Sequence, residues 1–110
     1  MKREDQEAVL RWAFREEHLA ITEHAPVEMA MESVSTDDVI TAGRGAEVLE
    51  EDRDRPQGVT KVVLGYAPPD EPLHLVVNVD AFESDLARRP RLVTVYRPTR
   101  PQWRDERTRG

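Results

Sequence analysis

Two histidines, a tyrosine and a run of late arginines supply the residue types from which this chain could build an acid–base site. The run Pro72-Leu73-His74-Leu75-Val76-Val77-Asn78-Val79-Asp80 alternates. Leu73, Leu75, Val77 and Val79 share one face, and His74, Val76, Asn78 and Asp80 share the other. If Leu73 and Val93 face the same core, Thr94 and Tyr96 join His74 on the mixed side. Such a group could cleave RNA without a metal, His74 and Tyr96 moving protons and Arg97 holding phosphate. Asn78 on the same face and Arg100 just beyond it complete the candidate substrate-binding set. The structural alternative makes His74 a half-buried strand residue and Tyr96 a core aromatic with its hydroxyl at the rim.

A second cluster lies earlier. His24, Glu28 and Glu32 are spaced four apart, so in a helix all three project from one side. A histidine and a carboxylate one turn apart can hold a divalent metal, or the carboxylate can tune the imidazole. Ligands from one helix do not close a site and no second cluster supplies the rest, so neither a metal nor a cofactor is expected. The plainer account is a solvated charged face opposite Ala25, Met29 and Val34. The chain has no Gly-rich phosphate loop, no Gly-x-Ser-x-Gly elbow and no His-Glu-x-x-His run.

The elements that would position these residues are legible. Residues 4–19 read as a helix, with Ala8, Val9, Trp12, Ala13 and Leu19 at helical spacing and Leu10 and Phe14 widening the stripe. Thr22 is placed to cap a second helix that runs to about Glu32 with Pro26 in its first turn. Ser35-Thr36-Asp37-Asp38 matches a capping box with aspartate in the last place, opening a short helix over residues 36–42 that stops at Gly43. Strands follow over 46–50, 60–67, 72–80 and 91–97. A charged loop covers 51–58, and a long hairpin connection covers 81–90. Helices first and strands afterwards predict an α+β domain: N-terminal helices on one face of a small antiparallel sheet of about four strands. One domain over residues 1–103 accounts for the length, with Trp103 docking the end back onto the body and 104–110 a flexible basic tail.

Composition narrows the function classes. Of 110 residues, 35% are charged and 38% hydrophobic, so the core is compact under a heavily charged surface. No apolar run is long enough to span a bilayer, and no apolar signal segment follows Met1-Lys2-Arg3-Glu4-Asp5, so a cytoplasmic protein without a membrane partner is expected. The absence of cysteine excludes disulfides and thiolate metal sites. The net charge of −6 is uneven: from Arg88 onward eight arginines face two acids, a local +6, which leaves −12 for the remainder. An acidic body repels nucleic acid, whereas an arginine-rich end could meet phosphate or fold back on the body.

The blocks Ile21-Thr22-Glu23-His24-Ala25, Met29 and Val34-Ser35-Thr36-Asp37-Asp38-Val39 resemble the opening of a family of small bacterial proteins known only as a domain of unknown function, the DUF-4258 type. Leu64-Gly65, Pro72-Leu73-His74-Leu75-Val76-Val77 and Val93-Thr94-Val95-Tyr96 with Pro98 continue the likeness in order, over residues 21–103. Such domains are similar to compact ribonuclease toxins of the RelE and BrnT kind. That resemblance implies catalytic roles for His24, His74 and Tyr96, and an antitoxin or other protein partner. The chain departs from the family pattern at Glu28 and Glu32, where the pattern carries arginines that could hold phosphate beside His24. Two carboxylates there repel RNA. The leading expectation is therefore a diverged toxin-like fold acting as a protein-interaction or regulatory module. A metal-independent endoribonuclease is the alternative.

Overall fold

The computed structural model describes residues 3–55, 58–79, 90–99 and 103–108. Three helices come first: α1 (Arg3–Arg15), α2 (Ala25–Met31) and α3 (Thr36–Arg44). Five strands are interleaved or follow: β1 (Ala20–Ile21), β2 (Glu47–Arg55), β3 (Gly58–Ala67), β4 (Glu71–Val79) and β5 (Arg91–Tyr96). The sheet runs β1-β5-β4-β3-β2, antiparallel except where β1 lies parallel to β5. The α+β class is as expected. The sheet differs in gaining a fifth strand, because Ala20–Ile21 adds to the β5 edge instead of serving as a bare link. Much of the expected 81–90 connection and the last strand residue, Asp80, lie outside the described residues.

All three helices cover one sheet face. There α3 lies on β3, α2 on β5, and α1 on α3. The core joins Leu10 and Phe14 of α1 to Val39, Ile40 and Ala42 of α3 and to Val63, Leu73, Leu75, Val77, Leu92 and Val95 of the sheet. In α1 the buried stripe is Gln6, Leu10, Ala13 and Phe14, whereas Trp12 is exposed and sets its ring edge against His18, with centroids 5.1 Å apart. Close approach decides two glycines. A Cβ on Gly43 would meet the Phe14 ring at 2.1 Å, and one on Gly65 would meet the Ala42 carbonyl oxygen at 2.1 Å. Gly43 is thus a seat for Phe14 inside α3 and not the stop that was expected; the helix runs on to Arg44.

The helix ends follow backbone bonding. The α3 capping box forms as its sequence predicts: Asp38 N–H donates to Ser35 Oγ and Ser35 N–H to Asp38 Oδ2, both at 3.1 Å. Thr22 does not cap α2. Its hydroxyl donates to the Leu92 and Val93 carbonyls and ties β1 to β5, and His24 takes the N-cap position without a side-chain cap. Helices α1 and α2 both end in Schellman turns with a non-glycine residue in the left-handed region, Glu17 (φ 55) and Ser33 (φ 56). His18 N–H donates to Ala13 O at 2.7 Å, and Val34 N–H to Met29 O at 2.8 Å. The α1 turn ends that helix at Arg15, short of the expected Leu19, and frees Ala20–Ile21 to join the sheet.

Candidate functional site

The candidate site lies on the sheet face away from the helices. Directly paired residues on neighbouring strands share a face, so the register aligns three rows across it. The first is Glu47, Leu64, His74 and Tyr96; the second Glu50, Val62, Val76 and Thr94; the third Asp52, Thr60, Asn78 and Arg91. The bulge between Val76 and Val77 makes Val93 the extra residue of β5 and turns Leu92 and Val95 to the core. Thr94 and Tyr96 reach the His74 face through that bulge, and not through Val93 facing the core.

His74 is wholly buried. Its Nδ1 lies 3.3 Å from Tyr96 Oη and its Nε2 lies 2.7 Å from the Glu106 carbonyl oxygen. A carbonyl only accepts, so Nε2 carries a proton and donates it. In the neutral ring Nδ1 is then an acceptor for the Tyr96 hydroxyl, and the imidazole satisfies both partners without charge. The Trp103 ring stands edge-on over the imidazole, centroids 4.3 Å apart and planes at 89°, with Tyr96 at 5.2 Å on another side.

This cover is the short return of chain from Trp103 to Thr108. Trp103 N–H donates to Thr99 O at 3.0 Å, and Arg104 N–H to Thr108 O at 2.7 Å. Asp105 Oδ1 accepts from the N–H groups of Arg107 and Thr108, both at 2.8 Å. Those bonds, that from Arg107 foremost, hold the Asp105 carboxyl below its ordinary value. Arg107 reaches across to β2 and places both Nε and Nη2 at 2.8 Å from Glu47 Oε1. Glu47, with Tyr66 adding to it, raises the guanidinium above its ordinary value. Sequence reasoning anticipated the docking of Trp103 but missed Glu106, Arg107 and Glu47. Their only sequence signal is a tryptophan followed four places later by an arginine in a chain with an acidic stretch from Glu47 to Asp52.

The other candidates separate. Asn78 lies two rows along the same face, where its Nδ2 donates to Thr60 Oγ1 at 3.3 Å and its Oδ1 accepts from Arg91. Arg97 is held by two acids: Nη1 is 2.5 Å from Glu71 Oε2, Nε is 3.8 Å from Glu32 Oε2, and Nη2 donates to the Glu32 carbonyl at 3.1 Å. Glu32 therefore serves here as an anchor for Arg97. His24 is exposed at the start of α2, in no hydrogen bond or ring contact with His74 or Tyr96. Arg100 lies outside the described residues. Among the described residues no group of three or more His, Cys, Asp or Glu side chains could hold a metal ion, so His24, Glu28 and Glu32 do not converge as ligands. No described helix is long and apolar enough to cross a membrane.

A family model described as a domain of unknown function (DUF4258) matches residues 21–97. No curated protein and no solved structure matches the chain.

Proposed function

The chain belongs to the DUF4258 family of domains of unknown function, and from that premise we propose that it is a protein-interaction or regulatory module and not an enzyme. One observation carries this reading. His74, the best-placed proton carrier, has no exposed surface and both ring nitrogens are engaged inside the fold. A general acid or base must come within hydrogen-bond reach of the substrate, and this one meets Tyr96 and a backbone carbonyl instead. Arg97 speaks the same way, since its guanidinium neutralises Glu71 and Glu32 and is not presented to a phosphate. The acidic bulk of the chain adds a long-range repulsion for RNA. The partner on this reading is another protein.

A second reading has one specific observation in its favour. His74 Nδ1 and Tyr96 Oη are 3.3 Å apart, an acid–base pair within proton-transfer distance under a single short return of chain. A metal-independent endoribonuclease of the toxin-like kind would use that pair once Trp103–Thr108 lifted. The test is incubation of the full chain with labelled RNA, with and without ribosomes, beside Tyr96→Phe, the cover variant Trp103→Ala and the Trp103→Ala/Tyr96→Phe double variant. The module reading expects no cleavage by any of the four. Cleavage by the wild type or by Trp103→Ala that is lost when Tyr96→Phe is added would overturn it in favour of the nuclease.

A further inference from the structure

Helix α2 is apolar on both sides. Its inner side buries Ala25 and Met29. At about 100° per residue, Pro26, Val27, Ala30 and Met31 fall together on the outer side, and all four are exposed. Val27 keeps 59% and Met31 74% of their surface, a valine and a methionine one turn apart facing water. Ile21 is a separate exposed apolar residue: it pairs with Leu92, a core residue, so its side chain turns to the same sheet face that α2 covers, and it is 41% exposed. Ala20 N–H donates to the Pro90 carbonyl just before β5 and Thr22 N–H to the Leu92 carbonyl within it, which leaves the Ile21 backbone facing outward along the sheet edge. His24, Glu28 and Glu32 run along one flank of the stripe, with Glu23 at its start. Glu32 is bound to Arg97; Glu23 and Glu28 are the carboxylates left to the flank.

We propose that the outer face of α2 docks an amphipathic segment of a partner protein whose apolar centre is flanked by lysines or arginines. The proposal rests on the interaction-module reading and names the partner's chemistry. Charge selects the occupant. A second copy would set Glu23 and Glu28 against their own counterparts in a chain of net −6, whereas a basic flank complements them. Size agrees. A seven-residue helix is about 10 Å long, too small for the roughly 800 Å² per partner of a stable globular interface and suited to one helical or extended segment. Met31, the most exposed apolar side chain of this face, gives the adaptable apolar contact that such surfaces use.

A random library of 16-residue peptides, displayed and selected on the full chain and counter-selected on the Val27→Glu/Met31→Glu variant, tests the proposal. Both positions are exposed, so the variant keeps the wild-type thermal transition. Enriched peptides should carry apolar residues at three- and four-residue spacing with lysine or arginine beside them. A labelled peptide from that set should bind the single variant Met31→Glu at least tenfold more weakly than wild type by fluorescence anisotropy. Its affinity should fall between 50 and 500 mM salt. No enrichment over the counter-selection, or enrichment of acidic peptides, would overturn the proposal. So would a concentration-dependent dimer abolished by Met31→Glu, which would make the occupant a second copy. None of those results would touch the module reading, which fails only on RNA cleavage.

Discussion

Truncating His74 to alanine should cost the fold about 2–4 kcal/mol, and the structure says where the loss arises. The ring is wholly buried, so its removal leaves a space beneath Trp103. Two hydrogen bonds go with it, to Glu106 O at 2.7 Å and to Tyr96 at 3.3 Å, each worth about 0.5–1.5 kcal/mol net. The edge-on contacts with Trp103 and Tyr96 add about 0.5–1.5 kcal/mol each. Those terms sum to roughly 2–6 kcal/mol, and relaxation of the short Trp103–Thr108 return into the space brings the expectation to the lower part of that range.

Urea unfolding followed by far-ultraviolet circular dichroism reads the loss directly. With a slope of about 1–3 kcal/mol per molar urea, the midpoint should fall by about 1–2 M at unchanged slope. Trp103→Ala should show a comparable loss, and the His74→Ala/Trp103→Ala double variant should lose clearly less than the sum, because each residue is the other's partner. A loss under about 0.5 kcal/mol in His74→Ala, or strict additivity in the cycle, would refute the reasoning. Either result would mean that the return is not seated on His74 in solution.

Three further expectations follow from local geometry. Ser33→Gly and Glu17→Gly should each raise stability by about 0.5–1 kcal/mol in thermal or urea melts, since both residues sit at positive φ where glycine has no Cβ penalty; a loss at either would contradict the Schellman assignment. Gly43→Ala should cost about 1–3 kcal/mol because its methyl would fall 2.1 Å from the Phe14 ring, and Phe14→Leu in the same chain should recover part of that; a neutral Gly43→Ala would show the seat to be loose. Asp105 has a folded-state value below its ordinary 3.8, so its bonds to Arg107 and Thr108 are in force above that value and are lost as pH falls through the lower, folded one. Trp103 emission in a Trp12→Phe background should therefore shift to the red in acid below about pH 4, and the wild-type transition should be absent in Asp105→Asn.

Much of the architecture needed only near neighbours along the chain. The alternation of Leu73–Val79 marked β4 and its two faces, and Ser35 with Asp38 marked the start of α3. Both signals survive because a strand's period of two and a capping box depend on residues within four positions of one another. The wider charged strand β2 was read as loop past Glu50, since acids carry little strand preference of their own and pairing with β3 is what holds Glu51 and Asp52 extended. The early end of α1 was hidden for a related reason. Nothing in Glu16-Glu17-His18 resembles a glycine stop, and the turn at left-handed Glu17 is closed by Glu17 N–H to the Phe14 carbonyl and His18 N–H to the Ala13 carbonyl.

The candidate site divides along the same line. By itself the sequence determined the α+β class, an acidic bulk with an arginine-rich end, and that His74 and Tyr96 could share a sheet face. Only the tertiary structure decided that they do, through a bulge that makes Tyr96 the cross-strand partner of His74, and that the pair is then closed over. His74 meets Tyr96 across 22 positions and Glu106 across 32, and Glu47 meets Arg107 across 60. Arg97 meets Glu32 and Glu71, which come to it from two other elements. Register and strand order set such contacts, and no local pattern encodes them, because a one-residue slip would move every side chain to the opposite face without changing a letter of the sequence.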